Sequence, residues 1–197
     1  MKKKECVKAI KPMLSEKRYR HSLNVAEEAK KLAKKFGADP DKAETAGLLH
    51  DILKDAPPEK QLKIITESGI MMSSVELSAK KFWHAIAGAV YIRTELGVAD
   101  ADILNAVRYH TTGRKDMSPL EKVIFVADFV SKDRDYPGVE QLRRVARKDI
   151  DKAIKEGIAF TLKDLVEHGD TIVPETIDAY NDAVQAVAAR AHTHKKK

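Results

Sequence analysis

The chain has 197 residues, 43% hydrophobic and 34% charged; this suits one compact domain with its own core, and a lone cysteine, Cys6, excludes a disulfide scaffold or a cysteine-based zinc site. Its 36 basic residues include six terminal lysines, Lys2, Lys3, Lys4, Lys195, Lys196 and Lys197; the other 30 face 30 acidic residues, and so neutral a body argues against a nucleic-acid binder. No apolar run reaches the roughly 18 residues of a membrane span, and Met1 to Glu5 leads into an amphipathic stretch unlike a signal core, so the expected location is cytoplasmic.

Helix signals follow one another along the chain. Ser15 is the expected N-cap of a helix to about Phe36, stopped by Gly37, with Leu23, Ala26, Ala29, Ala33 and Phe36 at helical spacing. Asp39-Pro40 reads as cap plus first-turn proline for a helix to about Lys54. Pro57-Pro58 breaks it and starts a shorter helix that ends near Gly69. Met71 to Lys81 reads as irregular. A helix from about His84 to Leu96 is closed by Gly97, and Asp100 caps another to about His110. Thr111-Thr112-Gly113 is a loop. Ser118-Pro119-Leu120-Glu121 is a capping box with proline at the first helical position; its helix carries Phe125, Asp128 and Phe129. After the turn Tyr136-Pro137-Gly138, three further helical patterns are split near Lys148 and between Gly169 and Pro174. Alternating strand patterns are absent. The expectation is an all-α single domain over 1–197. A core of about 15–135 would be covered by C-terminal helices over 138–191, with a loose basic tail at 192–197 whose His192 and His194 are read as solvated.

Four histidines, His21, His50, His84 and His110, fall on or at the ends of separate expected helices. His50 is followed by Asp51, and Asp128 interrupts the apolar run Val123 to Val130, where an unpartnered carboxylate is costly. Each residue alone reads as an ordinary core or surface polar group. Jointly they suit a site built between bundle helices. Imidazole and carboxylate ligands fit a divalent transition metal, which lowers the pKa of its water. Adjacent residues on a helix project about 100° apart, so His50 and Asp51 can straddle one ion, or Asp51 can bridge two. Lys54 follows Asp51 by three residues and shares its helix face. Arg114 comes four residues after His110, in a loop able to meet phosphate. No P-loop pattern is present.

The stretches Arg18 to Leu23, Ala46 to Asp51, Arg108 to Arg114 and Glu121 to Asp128 resemble the YqeK family of HD-domain hydrolases, through an H…HD…D signature and a Tyr-His-Thr-Thr-Gly-Arg block. The resemblance implies an HD-domain helical bundle that hydrolyses diadenosine tetraphosphate symmetrically to two ADP, with one or two ions of iron, for which manganese or cobalt can substitute. It implies that His21, His50, Asp51 and Asp128 are metal ligands, and that His84 and His110 bind a second metal or substrate phosphate. By the same likeness Asp51 and Lys54 serve catalysis, while Arg18, Lys54, Arg114, Ala127, Ser131 and Arg134 lie near the nucleotide. The family pattern has Glu-Pro where Ser131 and Lys132 stand here, which puts the local nucleotide contacts in question and leaves the metal site untouched. Beyond its dinucleoside polyphosphate or other nucleotide substrate, a second copy in a homodimer is the partner considered. The competing readings are an HD-type nucleotidase or dNTP phosphohydrolase, a metal-containing nucleotide sensor with little turnover, and a basic RNA-associated protein. The intact set of six histidines and aspartates argues against the sensor, and the neutral body against the RNA reading.

Overall fold

A computed structural model describes residues 1–194, with side-chain surroundings through Arg190. Among these the chain is helical without strands: α1 (Lys3–Ile10), α2 (Glu16–Phe36), α3 (Pro40–Leu49), α4 (Pro58–Glu67), α5 (Ser74–Ser78), α6 (Trp83–Thr94), α7 (Ala101–Arg108), α8 (Pro119–Val130), α9 (Val139–Ala146), α10 (Ile150–Glu167) and α11 (Pro174–His194).

The punctuation residues act as their chemistry dictates. Gly37 closes α2 at φ 78°, the left-handed region where a Cβ is penalised. Asp39 accepts from the amides of Asp41 and Lys42, with Pro40 opening α3. Asp100 accepts from Asp102 and Ile103 at the start of α7. Ser118 and Glu121 form the reciprocal capping box of α8. Ser15 starts α2 without using its hydroxyl; instead its amide donates to Asp55 (2.7 Å).

Four expectations need correction. The helix from Pro40 ends at Leu49. Residues 50–56 continue as tight turns, with Ile52, Lys54 and Ala56 donating to the carbonyls of Leu49, Asp51 and Leu53; Pro57, which lacks an N–H, cannot extend the α ladder. The segment read as irregular holds α5 and a 3-10 turn over Lys80–Phe82, because Ser73 and Glu76 form a second capping box there. The N-terminus adds a helix that the sequence reading did not name, α1, from which the Lys3 Nζ pairs with Glu44 (2.7 Å). At the other terminus α11 runs on to His194, while the side chains of His192 and His194 and the residues Lys195, Lys196 and Lys197 lie outside the described residues.

One continuous apolar core runs from Cys6 and Ile10 in α1 to Ala179 and Ala183 in α11. Its centre is α8, where Leu120, Val123, Ile124, Phe125, Val126, Ala127 and Val130 are buried. α2 packs on both α3 and α8, α7 on α6 and α8, and α10 on α8, α9 and α11. α2 and α3 meet closely at Gly47, where an added Cβ would stand 2.7 Å from the Ala26 Cα. No helix among the described residues is long and apolar enough to cross a membrane.

Candidate active site

α8 carries Asp128 on its last turn, α2 carries His21 on its second, and α3 delivers His50 and Asp51 at its C-terminal end. α6 and α7 bring His84 and His110 to the same place. Helices packed around one core thus present polar side chains to a common point, and burial is severe: His50 is 0% exposed, His110 1%, His84 2%, Asp51 3% and His21 4%.

Asp51 is the hub. Its Oδ1 lies 3.3 Å from His84 Nε2 and 3.4 Å from His110 Nε2. Its Oδ2 lies 3.3 Å from an Arg18 guanidinium nitrogen and 3.6 Å from His50 Nε2. Three donor groups form, each within 4.8 Å: His21, His50 and Asp51; His50, His110 and Asp128; and Asp51, His84 and His110. Asp51, His50 and His110 each belong to two of them, and of these three only the carboxylate offers two separate oxygens.

Backbone carbonyls orient the rings. His50 Nδ1–H donates to the Gly47 carbonyl (2.8 Å), and His110 Nδ1–H to the Val107 carbonyl (2.7 Å). Each bond fixes the tautomer with an Nε2 lone pair facing the cluster. His50 Nε2 is buried without a hydrogen-bond partner, and such an orphaned acceptor suits a cation. His21 is held differently: Nδ1–H donates to Asp133 (2.7 Å), whose other oxygen accepts from Asn24 (2.9 Å), and Nε2 meets Asp128 (2.8 Å).

Charge follows from these contacts. Burial, partly offset by Asp51, lowers the pKa of both His50 and His84 to about 4, so both rings are neutral at pH 7. Burial also disfavours the Asp51 carboxylate, but His50, His110 and His84 outweigh it and hold its pKa well below the ordinary value. For Asp128 burial is outweighed by Arg134 and His21, with the same result. In His21, burial is outweighed by Asp128 and Asp133, and the pKa rises. Burial depresses Lys54.

The cations named from sequence divide. Arg18 pairs with Asp51, Arg134 pairs with Asp128 and donates Nε–H to the Asp128 carbonyl (2.7 Å), and Lys54 Nζ lies 3.3 Å from His84 Nε2. Arg114 does not join them. Its Nε and Nη2 donate to both oxygens of buried Glu121 (2.6 and 2.8 Å) and its guanidinium lies over Tyr109, an arrangement that commits its planar fork. Ala127 and Ser131 are fully buried at the end of α8, where the Ser131 carbonyl accepts from Arg143 (2.7 Å). Lys132, the other departure from the family pattern, is exposed and pairs with Glu27 (3.7 Å).

Sequence reasoning missed Asp133 and a cleft beside His84 and His110. Phe82, Trp83, Tyr109 and Val173 help to wall that cleft, which also takes in Thr111 and Glu175. Thr111 Oγ1 and Glu175 Oε2 are buried without partners. Only the neighbourhood of Phe82-Trp83 and Tyr109-Thr111 to the two histidines signalled it; Val173 arrives from a remote loop and Glu175 from the first turn of α11.

Residues 18–133 match the HD domain family. The chain belongs to the HD-domain family. Two curated relatives named symmetrical bis(5'-nucleosyl)-tetraphosphatase, from Halalkalibacterium halodurans and Bacillus subtilis, are each 39% identical over 181 residues, covering 92% of this chain and 96% and 97% of theirs. A crystal structure from Clostridium acetobutylicum, described as a predicted HD superfamily hydrolase involved in NAD metabolism, superposes with a TM-score of 0.91. It is 35% identical and covers 94% of this chain and 98% of that one. In this HD-domain chain His21, His50, Asp51 and Asp128, the residues of the H…HD…D pattern, come together with His84 and His110.

Proposed function

We propose that this chain splits a dinucleoside tetraphosphate, diadenosine tetraphosphate foremost, at its central anhydride into two nucleoside diphosphates. The observation that carries the reading is Asp51, shared between two nitrogen- and oxygen-donor groups and paired with Arg18, with Lys54 against the neighbouring His84 and Arg134 against Asp128. The names of the relatives support the substrate.

The donor set contains imidazole and carboxylate but no sulfur, which fits a divalent transition metal, and the unpartnered His50 Nε2 fits a ligand position. We assign His21, His50, Asp51 and Asp128 to the metal, with iron as its identity and manganese or cobalt as substitutes. His84 and His110, with Asp51, hold a second ion or the substrate phosphate. A bound cation supplies Lewis acidity toward a phosphoryl oxygen and makes water easier to deprotonate.

The chain's own residues do the rest. Arg18, Lys54 and Arg134 grip one nucleoside diphosphate by charge-assisted hydrogen bonds, with its outer phosphate at Asp51. Water forms the new O–P bond at an inner phosphorus and loses a proton to solvent. The bond to the central bridging oxygen breaks, and that oxygen leaves on the second nucleoside diphosphate, to which Lys54 is placed to give a proton.

Chromatography of early products tests this. ADP alone from diadenosine tetraphosphate is expected. Equal ATP and AMP would overturn symmetrical cleavage, and preferential release of phosphate from a nucleoside monophosphate would favour the nucleotidase alternative.

A further inference from the structure

The turn that carries Asp51 and Lys54 has a defect that the sequence builds in and then repairs. In a continuing α-helix the N–H of residue 57 would donate to the carbonyl of Leu53, and that of residue 58 to Lys54. Residues 57 and 58 are both proline and have no N–H. The Leu53 carbonyl therefore keeps only the tighter bond from the Ala56 N–H (3.1 Å), and the Lys60 N–H goes to the Pro57 carbonyl (3.0 Å), so the Ala56 carbonyl also lacks its helical donor, in a region where Ile52 and Leu53 are fully buried. A carbonyl shielded from water and short of a donor is costly.

Gln61 supplies a donor to each of these two carbonyls. It lies on α4, is 6% exposed, and its side-chain amide donates to the carbonyls of Leu53 (3.0 Å) and Ala56 (2.8 Å). The backbone amide of Gln61 in turn donates to Pro57 (3.1 Å). The same helix packs against α6, which carries His84. One side chain thus locks residues 53–56 onto α4, directly after Asp51 and around Lys54, whose Nζ reaches His84.

We infer that Gln61 is a positioning residue for Asp51 and Lys54, setting the turn on which the shared carboxylate and the phosphate-binding lysine stand. It touches neither metal nor substrate. An apolar residue would fill the same buried volume, so packing alone does not explain an amide there; the two carbonyls do. The inference rests on the reading of the cluster as a metal and nucleotide site.

The test uses the full chain and Mn²⁺ as probe. Gln61→Met keeps the length and apolar stem and removes both donors. Ile65→Val, at a fully buried position on the same helix, lowers stability without touching the turn. Calorimetry on metal-free protein at a temperature where each variant is folded should show Mn²⁺ affinity weakened about tenfold in Gln61→Met, the lower end for residues that orient ligands, and unchanged in Ile65→Val. With diadenosine tetraphosphate kcat should fall in the first variant and not in the second. If the methionine variant does not fold, Gln61→Asn, one methylene shorter, takes its place with the same expected loss. Wild-type Mn²⁺ affinity in a folded Gln61 variant, or an equal loss in Ile65→Val, overturns the inference. Failure of the wild-type protein to cleave the dinucleotide would strike the proposed function instead and leave the Mn²⁺ comparison standing.

Discussion

At the scale of single residues, the cluster makes two predictions. Asp51→Ala removes the carboxylate shared by two donor groups and should abolish turnover. His168→Ala, an exposed histidine at the end of α10, should leave kcat within a factor of two; equal loss in both variants would place the site elsewhere. The second concerns pH. His50 and His84 are kept neutral by burial, with pKa values of about 4 against 6.5 for a free imidazole. They bind fewer protons folded than unfolded, so stability is lost as pH falls from 6.5 toward 4, on the order of 2–3 kcal/mol for each. His21 acts oppositely: its raised pKa gives stability that is complete below 6.5 and lost as pH rises through the folded value. Below pH 6.5 the two depressed histidines therefore set the slope. Urea unfolding of metal-free protein should show a lower midpoint at pH 5 than at pH 7; an equal or higher midpoint at pH 5 contradicts the assignment.

At the scale of elements, glycine positions decide how near the ligand helices approach. In Gly47→Ala the new Cβ would sit 2.7 Å from the Ala26 Cα, a backbone atom that cannot swing aside. α2 and α3 must separate, and with them His21 and His50. The expected cost is about 1–3 kcal/mol together with weaker Mn²⁺ binding. Gly88→Ala on α6 is the contrast: the nearest atoms are side-chain methyls of Ile52 and Val107 at 3.7 Å, ordinary contact, and alanine favours a helix interior by roughly 0.5–1 kcal/mol. Thermal melts should separate the two variants, and a Gly47→Ala protein as stable as wild type would show that the close approach is dispensable. The helices themselves were legible because caps are local: Asp39-Pro40, Asp100 and Ser118-Pro119-Leu120-Glu121 each act within four residues. The C-terminal end of α3 and the pairing of Arg114 were not. Glu121 serves its capping box as expected, but its side chain also binds Arg114, a pairing made only when the loop folds back. Asp133 and Gln61 escaped for the same reason, since each acts on a group that no sequence spacing points to.

At the scale of the whole molecule, the donor groups join α2, α3, α6, α7 and α8 at one point. Each of these helices also contributes to the continuous core, so a cation held there couples directly to global unfolding. The unfolded chain offers no preformed site, and binding to the native state alone stabilises by RT ln(1 + [L]/Kd), about 2.7 kcal/mol at a hundredfold excess over Kd. For a chain of this length each kcal/mol is worth roughly 2–4 °C in Tm, so Mn²⁺ at that concentration should raise the melting temperature of metal-free protein by about 5–10 °C. EDTA should reverse the shift. Asp51→Ala, lacking the shared ligand, should lose most of it, whereas His168→Ala should keep it whole. Because this readout needs no turnover, it separates the site from the substrate. A full shift with no cleavage of diadenosine tetraphosphate would retain the metal centre and discard the dinucleotide. Absence of any shift in the wild-type chain, with Mn²⁺, Co²⁺ and Fe²⁺ each tried, would remove the metal centre itself.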